Sequence, residues 1–157
     1  MCKEKYERLI LGMINFNTVF NSEFVNFIPE LSNDEISPQL SKILNVIHME
    51  GKTTSSKLSR ILNIPISNMS RSINTLNSLE YIVKKQDSKD KRIVYLTLSS
   101  KALDYISKVI ASSQEVFWER LNIFSEDEIE ELTSSFLKIQ NLFIKMREAN
   151  NSNQRNK

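Results

Sequence analysis

The sequence predicts a mainly α-helical fold with one small β-hairpin. Only two of the 157 residues are Gly and three are Pro, a composition that favours long, uninterrupted helices. Apolar residues recur at three- and four-residue steps along most of the chain. In 93–98, Val94, Leu96 and Leu98 alternate with Ile93, Tyr95 and Thr97, as in a half-buried strand. The length fits a single domain of residues 1–157.

The first predicted helix covers about residues 4–28 and ends at Pro29. One apolar stripe runs along it, with steps of three or four residues between members: Leu9, Met13, Phe16, Phe20, Phe24 and Phe27. A stripe of this length on a helix near the chain start needs a covering surface.

Two short helices follow. Ser37 is the predicted N-cap of the second helix, which Gly51 stops. Thr53 or Thr54 can cap the third helix, which ends at Asn63 because asparagine tolerates the left-handed conformation of a tight turn. The helices that precede the hairpin have the pattern of a helix-turn-helix.

The fourth predicted helix, about residues 65–79, has two contrasting faces. Met69, Ile73 and Leu76 form the face that we expect to be buried. The opposite face carries short polar and cationic side chains, which suit base edges and phosphates: Ser67, Asn68, Ser70, Arg71, Asn74 and Thr75. This helix is the candidate recognition helix.

The hairpin joins predicted strands 82–86 and 93–98. Residues 84–92, at its tip, contain five cations and two acids. The larger segment 52–92 has a charge balance of +6, whereas segment 115–131 has a balance of −6. One end of the chain can therefore approach nucleic acid, and the other would be repelled by it.

Two long helices complete the chain, within about residues 100–148. Ser99 or Ser100 is the predicted cap of the fifth helix, and Ser125 and Glu128 have the capping-box spacing at the start of the sixth. The sixth helix carries a heptad-like stripe, made of Ile129, Leu132, Phe136, Ile139, Phe143 and Met146. The polar tail 150–157 is expected to be disordered.

The order of these elements and several of their residues resemble the multiple-antibiotic-resistance-regulator (MarR) family of bacterial winged-helix transcription regulators. The resemblance is densest from Leu58 to Ala102. It includes Met69-Ser70-Arg71 and the tip Asp87-Ser88-Lys89-Asp90-Lys91-Arg92, which looks like the family's Asp-Pro-x-Asp-Arg-Arg pattern. Two residues depart from the family: Glu80 replaces a usual Gly, and Ser88 replaces the common Pro.

The resemblance implies a winged helix-turn-helix lobe at about 37–98 and dimerisation helices at about 4–28 and 100–148. It implies a homodimer that binds double-stranded DNA at a pseudo-palindromic operator, with the recognition helix in the major groove and the wing, 84–98, at the minor groove. A repressor is the expected regulator. The apolar stripes support the dimer independently, because the rest of the chain is too short to cover them.

Residue roles follow from this resemblance. Arg71 is expected to form a fork to guanine or clamp a phosphate, and Asn68 or Asn74 to bond adenine. At the wing we expect cationic contacts from Lys89, Lys91 and Arg92, with Asp90 as a brace for the hairpin or for Arg92. The resemblance also implies a small aromatic or phenolic effector, bound in a crevice lined by Phe16, Phe20, Ile43, Ile47 and Tyr105. An ordinary apolar core would account for the same five residues equally well.

The sequence also excludes other functions. His48 and Cys2 are the only residues of their types, and no Gly-rich phosphate loop accompanies them, so no catalytic site, metal site or cofactor is predicted. No apolar run approaches the roughly 20 residues of a membrane span, and we expect a cytoplasmic protein. The alternative is a winged-helix module that binds protein without specific DNA binding.

Overall fold

The structure, a computed structural model, describes residues 2–155, with side chains from 3 to 150. Within that range the chain forms six α-helices and a three-stranded antiparallel sheet, which confirms the predicted mainly α class. The helices are α1 Cys2–Val19, α2 Pro38–Glu50, α3 Ser55–Leu62, α4 Ile66–Ser78, α5 Ser100–Leu121 and α6 Glu126–Arg155. The strands are β1 Thr53–Thr54, β2 Ile82–Gln86 and β3 Val94–Leu98.

The first predicted helix, 4–28, is divided into three helical segments. After α1 the backbone forms a π-helix over Phe20–Phe24 and a 3-10 turn over Val25–Phe27. The rings of Phe20 and Phe24 stack through this change, with centroids 6.1 Å apart. Ile28 is extended (φ −66°, ψ 117°), the conformation that a residue before proline prefers, so Pro29 ends the helical run as predicted.

The lobe built from α2, α3, α4 and the sheet has a dense apolar core. Ser37 caps α2 and Thr54 caps α3, each by accepting a backbone N–H bond, at 3.4 and 3.3 Å. Asn63 ends α3 in the left-handed conformation (φ 52°), as predicted. The largest fully buried side chains are Ile36, Ile43, Leu44, Ile47, Leu58, Met69, Leu76 and Leu96. Burial of each stabilises the lobe by about 1.5–3 kcal/mol.

The sheet has one strand more than the sequence predicted. Its order is β1-β3-β2, with Thr53 opposite Leu96 in the pairing of β1 and β3. A strand of two residues is too short to show the alternation by which strands are recognised. Thr54, the second residue of β1, is also the N-cap of α3.

The chain divides into two compact units, residues 1–114 and 115–157. In the second unit the predicted capping box is present, because Glu128 Oε2 accepts the Ser125 N–H at 2.8 Å and Ser125 Oγ accepts the Glu128 N–H at 3.3 Å. Hydrogen bonds from the Ser125 N–H and the Ser125 hydroxyl to the carboxylate hold the pKa of Glu128 below its usual value.

Helix α6 extends beyond the predicted end at 148 and includes most of the tail that was expected to be disordered. No Gly or Pro follows position 65 to interrupt a helix, which explains the longer run. Residues 156 and 157 of that tail lie outside the described residues. None of the helices between residues 2 and 155 combines the length and apolar character that a membrane span requires.

Candidate nucleic-acid interface

Helix α4 is held by its buried face and presents the opposite face to solvent. Met69 and Leu76 are fully buried, and Ile73 is 3% exposed. All six α4 residues predicted to contact DNA lie on the exposed side: Ser67, Asn68, Ser70, Arg71, Asn74 and Thr75. The structure thus brings these residues together on one surface, which we call the α4 face.

A partly buried hydrogen bond that the sequence did not predict joins α4 to α2. Ser72 is 7% exposed, and its hydroxyl accepts a hydrogen bond from Gln39 Nε2 at 2.8 Å. Ser72 follows Met69 by three residues and precedes Leu76 by four. This helical spacing alone would have predicted that Ser72 lies on the buried face of α4. The bond acts together with the buried apolar side chains, which set the rotation of α4 and therefore which residues form the α4 face.

The side chains of the α4 face differ in their local partners. Ser70 Oγ donates to the Ile66 carbonyl at 2.9 Å, and Thr75 Oγ1 donates to the Arg71 carbonyl at 3.2 Å. Both hydroxyl oxygens retain lone pairs that can accept from a ligand. Arg71 lies near the centre of the exposed face, where its five N–H donors can reach outward.

The wing tip is organised by the carboxylate of Asp87. Asp87 Oδ1 accepts the backbone N–H groups of Lys89 and Asp90 at 2.8 and 2.9 Å. The Asp87 N–H donates to the Ile93 carbonyl at 2.9 Å, which closes the hairpin. Backbone hydrogen bonds to the ionised carboxylate hold the pKa of Asp87 below its usual value, and the bond from Asp90 contributes more than the bond from Lys89.

Asp90 and Arg92 form a bidentate ion pair at the wing tip. Arg92 Nε donates to Asp90 Oδ1 at 3.0 Å, and Arg92 Nη2 donates to Asp90 Oδ2 at 2.9 Å. The guanidinium lowers the pKa of Asp90, and the carboxylate raises the pKa of Arg92. Arg92 remains 91% exposed. The bidentate pair is the kind of contact expected of Asp90 if it braces Arg92. The contact of Arg92 with DNA remains a prediction.

Other cations lie around these two elements. Lys89 and Lys91, predicted wing contacts, are both exposed. At the base of the wing, Lys52 Nζ lies 3.6 Å from the centre of the Tyr95 ring, a cation–π contact that sequence reasoning missed. Lys84 donates to the Asn74 Oδ1 at 2.7 Å and thereby joins β2 to the α4 face.

The turn between α4 and β2 keeps the conformation of a glycine although the chain has Glu80 there. The backbone of Glu80 adopts the left-handed conformation, with φ 62°. Its carbonyl accepts a hydrogen bond from Ser99 Oγ at 2.6 Å, and the neighbouring Leu79 carbonyl accepts one from Lys101 Nζ at 2.9 Å. These bonds hold a backbone geometry that is strained for a residue with a side chain.

The five residues predicted to line an effector crevice are not equally accessible. Ile43 and Ile47 are fully buried in the lobe core, so they have no surface to offer a ligand and this part of the prediction is corrected. Phe16 is 49% exposed on α1, and Phe20 is half-buried. Tyr105 is also half-buried, and its hydroxyl donates to the Leu31 carbonyl at 3.3 Å. Apolar character alone cannot separate a crevice wall from a core.

Among the residues that the structure describes, no three His, Cys, Asp or Glu side chains lie close enough together to hold a metal ion.

Comparisons with known proteins agree with this geometry. Residues 37–102 match the model of the family described as winged helix DNA-binding domain. The chain is similar to RV1404 from Mycobacterium tuberculosis, with 12% identity, TM-score 0.67, and coverage of 85% of this chain and 92% of that one. It is similar to a MepR mutant from a multidrug-resistant S. aureus clinical isolate, with 14% identity, TM-score 0.64, and coverage of 88% and 96%.

A third similar structure is a MarR mutant from E. coli complexed with operator DNA, with 20% identity, TM-score 0.53, and coverage of 85% of this chain and 95% of that one. No curated protein matches the chain in sequence. The match to this family model covers the lobe, which has the fold of a winged helix DNA-binding domain. The chain as a whole has the fold of the MarR-family transcription regulators, as the sequence resemblance predicted.

Proposed function

We propose that this chain is a transcription repressor that binds a specific sequence of double-stranded DNA as a homodimer. The observation that carries the proposal is the α4 face, a row of exposed polar side chains around Arg71 on a helix without acidic residues. A helix fixed by its buried side and basic on its exposed side can enter the major groove. The MarR mutant with a similar fold is bound to operator DNA, which supports this function.

In the major groove, Arg71 would form a fork to guanine O6 and N7 or clamp a phosphate, and Asn68 would pair with adenine. At the minor groove, Arg92 would enter from the wing tip with help from Lys89 and Lys91, because a narrow groove concentrates negative potential. Asp90 would orient the guanidinium through their bidentate pair.

The homodimer is supported by apolar surface in each compact unit. In the first unit α1 exposes more than half of Tyr6, Leu9, Ile10, Leu11, Met13, Ile14 and Val19. In the second unit α6 exposes more than half of Leu137, Leu142, Phe143 and Met146. Surfaces of this kind call for a partner chain, and a second copy gives a two-fold dimer.

A two-fold dimer would read a pseudo-palindrome with half-sites about 10 bp apart, centre to centre. Bound over a promoter, it would exclude the transcription machinery, and a small aromatic or phenolic effector near Phe16, Phe20 and Tyr105 would release it. This role is that of a cytoplasmic regulator.

Selection of duplexes from a random pool by the purified protein tests the proposal. We expect a pseudo-palindromic motif from the wild type, and an affinity loss of about tenfold or more for Arg71→Ala and for Arg92→Ala, each with a weaker salt dependence. Lys138→Ala removes an exposed cation of α6 and serves as the control with unchanged affinity. Enrichment of no motif, together with capture of a protein partner, would overturn DNA binding in favour of a protein-interaction module.

Mass measurement in solution tests the dimer separately. Light scattering should give twice the chain mass of 18.3 kDa, and Leu9→Gln combined with Met13→Gln in α1 should shift the protein toward monomer. A wild-type protein that stays monomeric at micromolar concentration would contradict the dimer.

A further inference from the structure

Lys84 and Asn74 form a contact between the sheet and the α4 face, and the proposed function gives this contact no role. Lys84 Nζ donates to Asn74 Oδ1 at 2.7 Å, across ten positions of sequence. Both residues are exposed, and Asn74 lies on the α4 face beside Arg71. A cation of the wing strand therefore acts on a side chain placed to meet the bases.

The direction of this hydrogen bond decides what Asn74 can offer to DNA. Adenine recognition needs both ends of an asparagine amide, because the oxygen accepts from the adenine N6 amino group while the nitrogen donates to N7. Here the oxygen already accepts from an ammonium group. The oxygen keeps a second lone pair, but a donor that approaches it also approaches the positive charge of Lys84, which weakens that second hydrogen bond.

The two N–H groups of Asn74 Nδ2 remain as donors, and the ammonium of Lys84 has two further N–H groups. Together the pair presents donors and a single positive charge. In the major groove such a surface suits adjacent acceptors, and guanine presents two of them, O6 and N7, whereas adenine presents one acceptor beside a donor.

We propose that Lys84 is a specificity-determining residue that converts Asn74 from a reader of adenine into a reader of guanine. The inference rests on the proposed function, since it assigns a base preference to one position of the same α4 face. It also separates the two asparagines of that face: Asn68 keeps the adenine role, and Asn74 takes the acceptor edge of guanine.

Lys85 provides a matched control. It follows Lys84 in β2 and is also exposed, but successive strand residues point to opposite faces. Lys84 is on the face of β2 that includes the buried Ile82, and Lys85 is on the other. Methionine at either position removes one charge and keeps an unbranched side chain, and of the two substitutions only Lys84→Met removes the bond to Asn74.

The experiment compares motifs selected from a random duplex pool by the wild type, Asn74→Ala, Lys84→Met and Lys85→Met. Asn74→Ala identifies the position that Asn74 reads, where the wild type should prefer guanine over adenine by about tenfold. Lys84→Met should abolish that preference or shift it to adenine. Lys85→Met should keep the wild-type motif.

Two outcomes would overturn the inference alone: a Lys84→Met motif identical to that of the wild type, or an Asn74→Ala motif unchanged at every position. If the wild type enriches no motif, the proposed function itself fails and the inference fails with it. Thermal unfolding of each variant checks the fold, which substitutions at these exposed positions should leave intact.

Discussion

Helix α4 and the wing tip are directed toward the same proposed ligand, yet different forces hold them in place. The helix is positioned by apolar burial, with Met69 and Leu76 fully enclosed and Ile73 nearly so. In the wing, every side chain from residue 83 to residue 93 is exposed or half-buried. The tip is shaped by hydrogen bonds to Asp87 and by the Asp90 pair with Arg92.

This difference teaches which perturbations each element should feel. The orientation of α4 is coupled to the stability of the whole lobe, because the side chains that hold it are also the core. The wing is a local structure made of charged groups in water. It should respond to pH and charge substitutions while the lobe remains folded.

Leu76→Ala should have the largest effect, because it removes a fully buried side chain from the face that anchors α4. We expect the free energy of unfolding to fall by about 2–5 kcal/mol, measured by denaturant titration. Arg71→Ala, five positions earlier on the exposed face, should change it by less than about 0.5 kcal/mol. Equal losses for the two variants would contradict the division of α4 into an anchoring and a binding face.

Asp90→Asn should weaken DNA binding without destabilising the lobe. The substitution breaks the bidentate pair that orients Arg92, but it also removes a negative charge that repels DNA. Asp87→Asn controls for the charge, because an asparagine oxygen can still accept the N–H groups of Lys89 and Asp90. We expect Asp90→Asn to bind about threefold to tenfold more weakly than Asp87→Asn in fluorescence anisotropy, and equal affinities would rule out the brace.

Glu80→Gly should stabilise the joint between α4 and β2. A left-handed residue with a side chain is strained, and glycine removes that strain at the expense of greater chain entropy in the unfolded state. We expect a net gain of about 0.5–1 kcal/mol in the free energy of unfolding. Glu80→Ala removes the same charge but retains the strain, so a gain of equal size in both variants would assign the effect to charge.

Acidification should loosen the wing before the lobe, and this is the smallest expected effect. The folded pKa values of Asp87 and Asp90 are lowered, so their contribution to wing order is fully present above the unfolded value of about 4. That contribution is lost as the pH falls through the lowered folded values. NMR titration below pH 4 should move the amide signals of Lys89 and Arg92 first, while those of α4 stay constant. Simultaneous changes in both elements would contradict separate control.

The sequence predicted the elements whose signals are local. Ser37, Thr54 and Asn63 mark helix ends through their own side chains or backbone, and the Ser125 capping box spans only three residues. The polar residues of α4 were predicted from helical spacing alone, and the structure exposes all six. These predictions succeeded because neighbours within one turn determine them.

What the sequence did not predict depends on residues far apart in the chain. The Gln39 bond to Ser72 spans 33 positions, and the Lys84 bond to Asn74 joins a strand to a helix. Helical spacing shows which side of a helix is apolar but not which partner covers it. For that reason Ile43 and Ile47 were assigned to a crevice although they are core.

Thr54 joins two elements within one residue: it is the last residue of β1 and the cap of α3. Its backbone belongs to the ladder with Tyr95, and its hydroxyl accepts the Lys57 N–H. Fraying of the sheet edge would therefore release the first turn of α3 at the same time. In hydrogen–deuterium exchange, the Lys57 amide should open together with the β1 edge as one cooperative unit, so that the sheet and the helix-turn-helix melt as a single body.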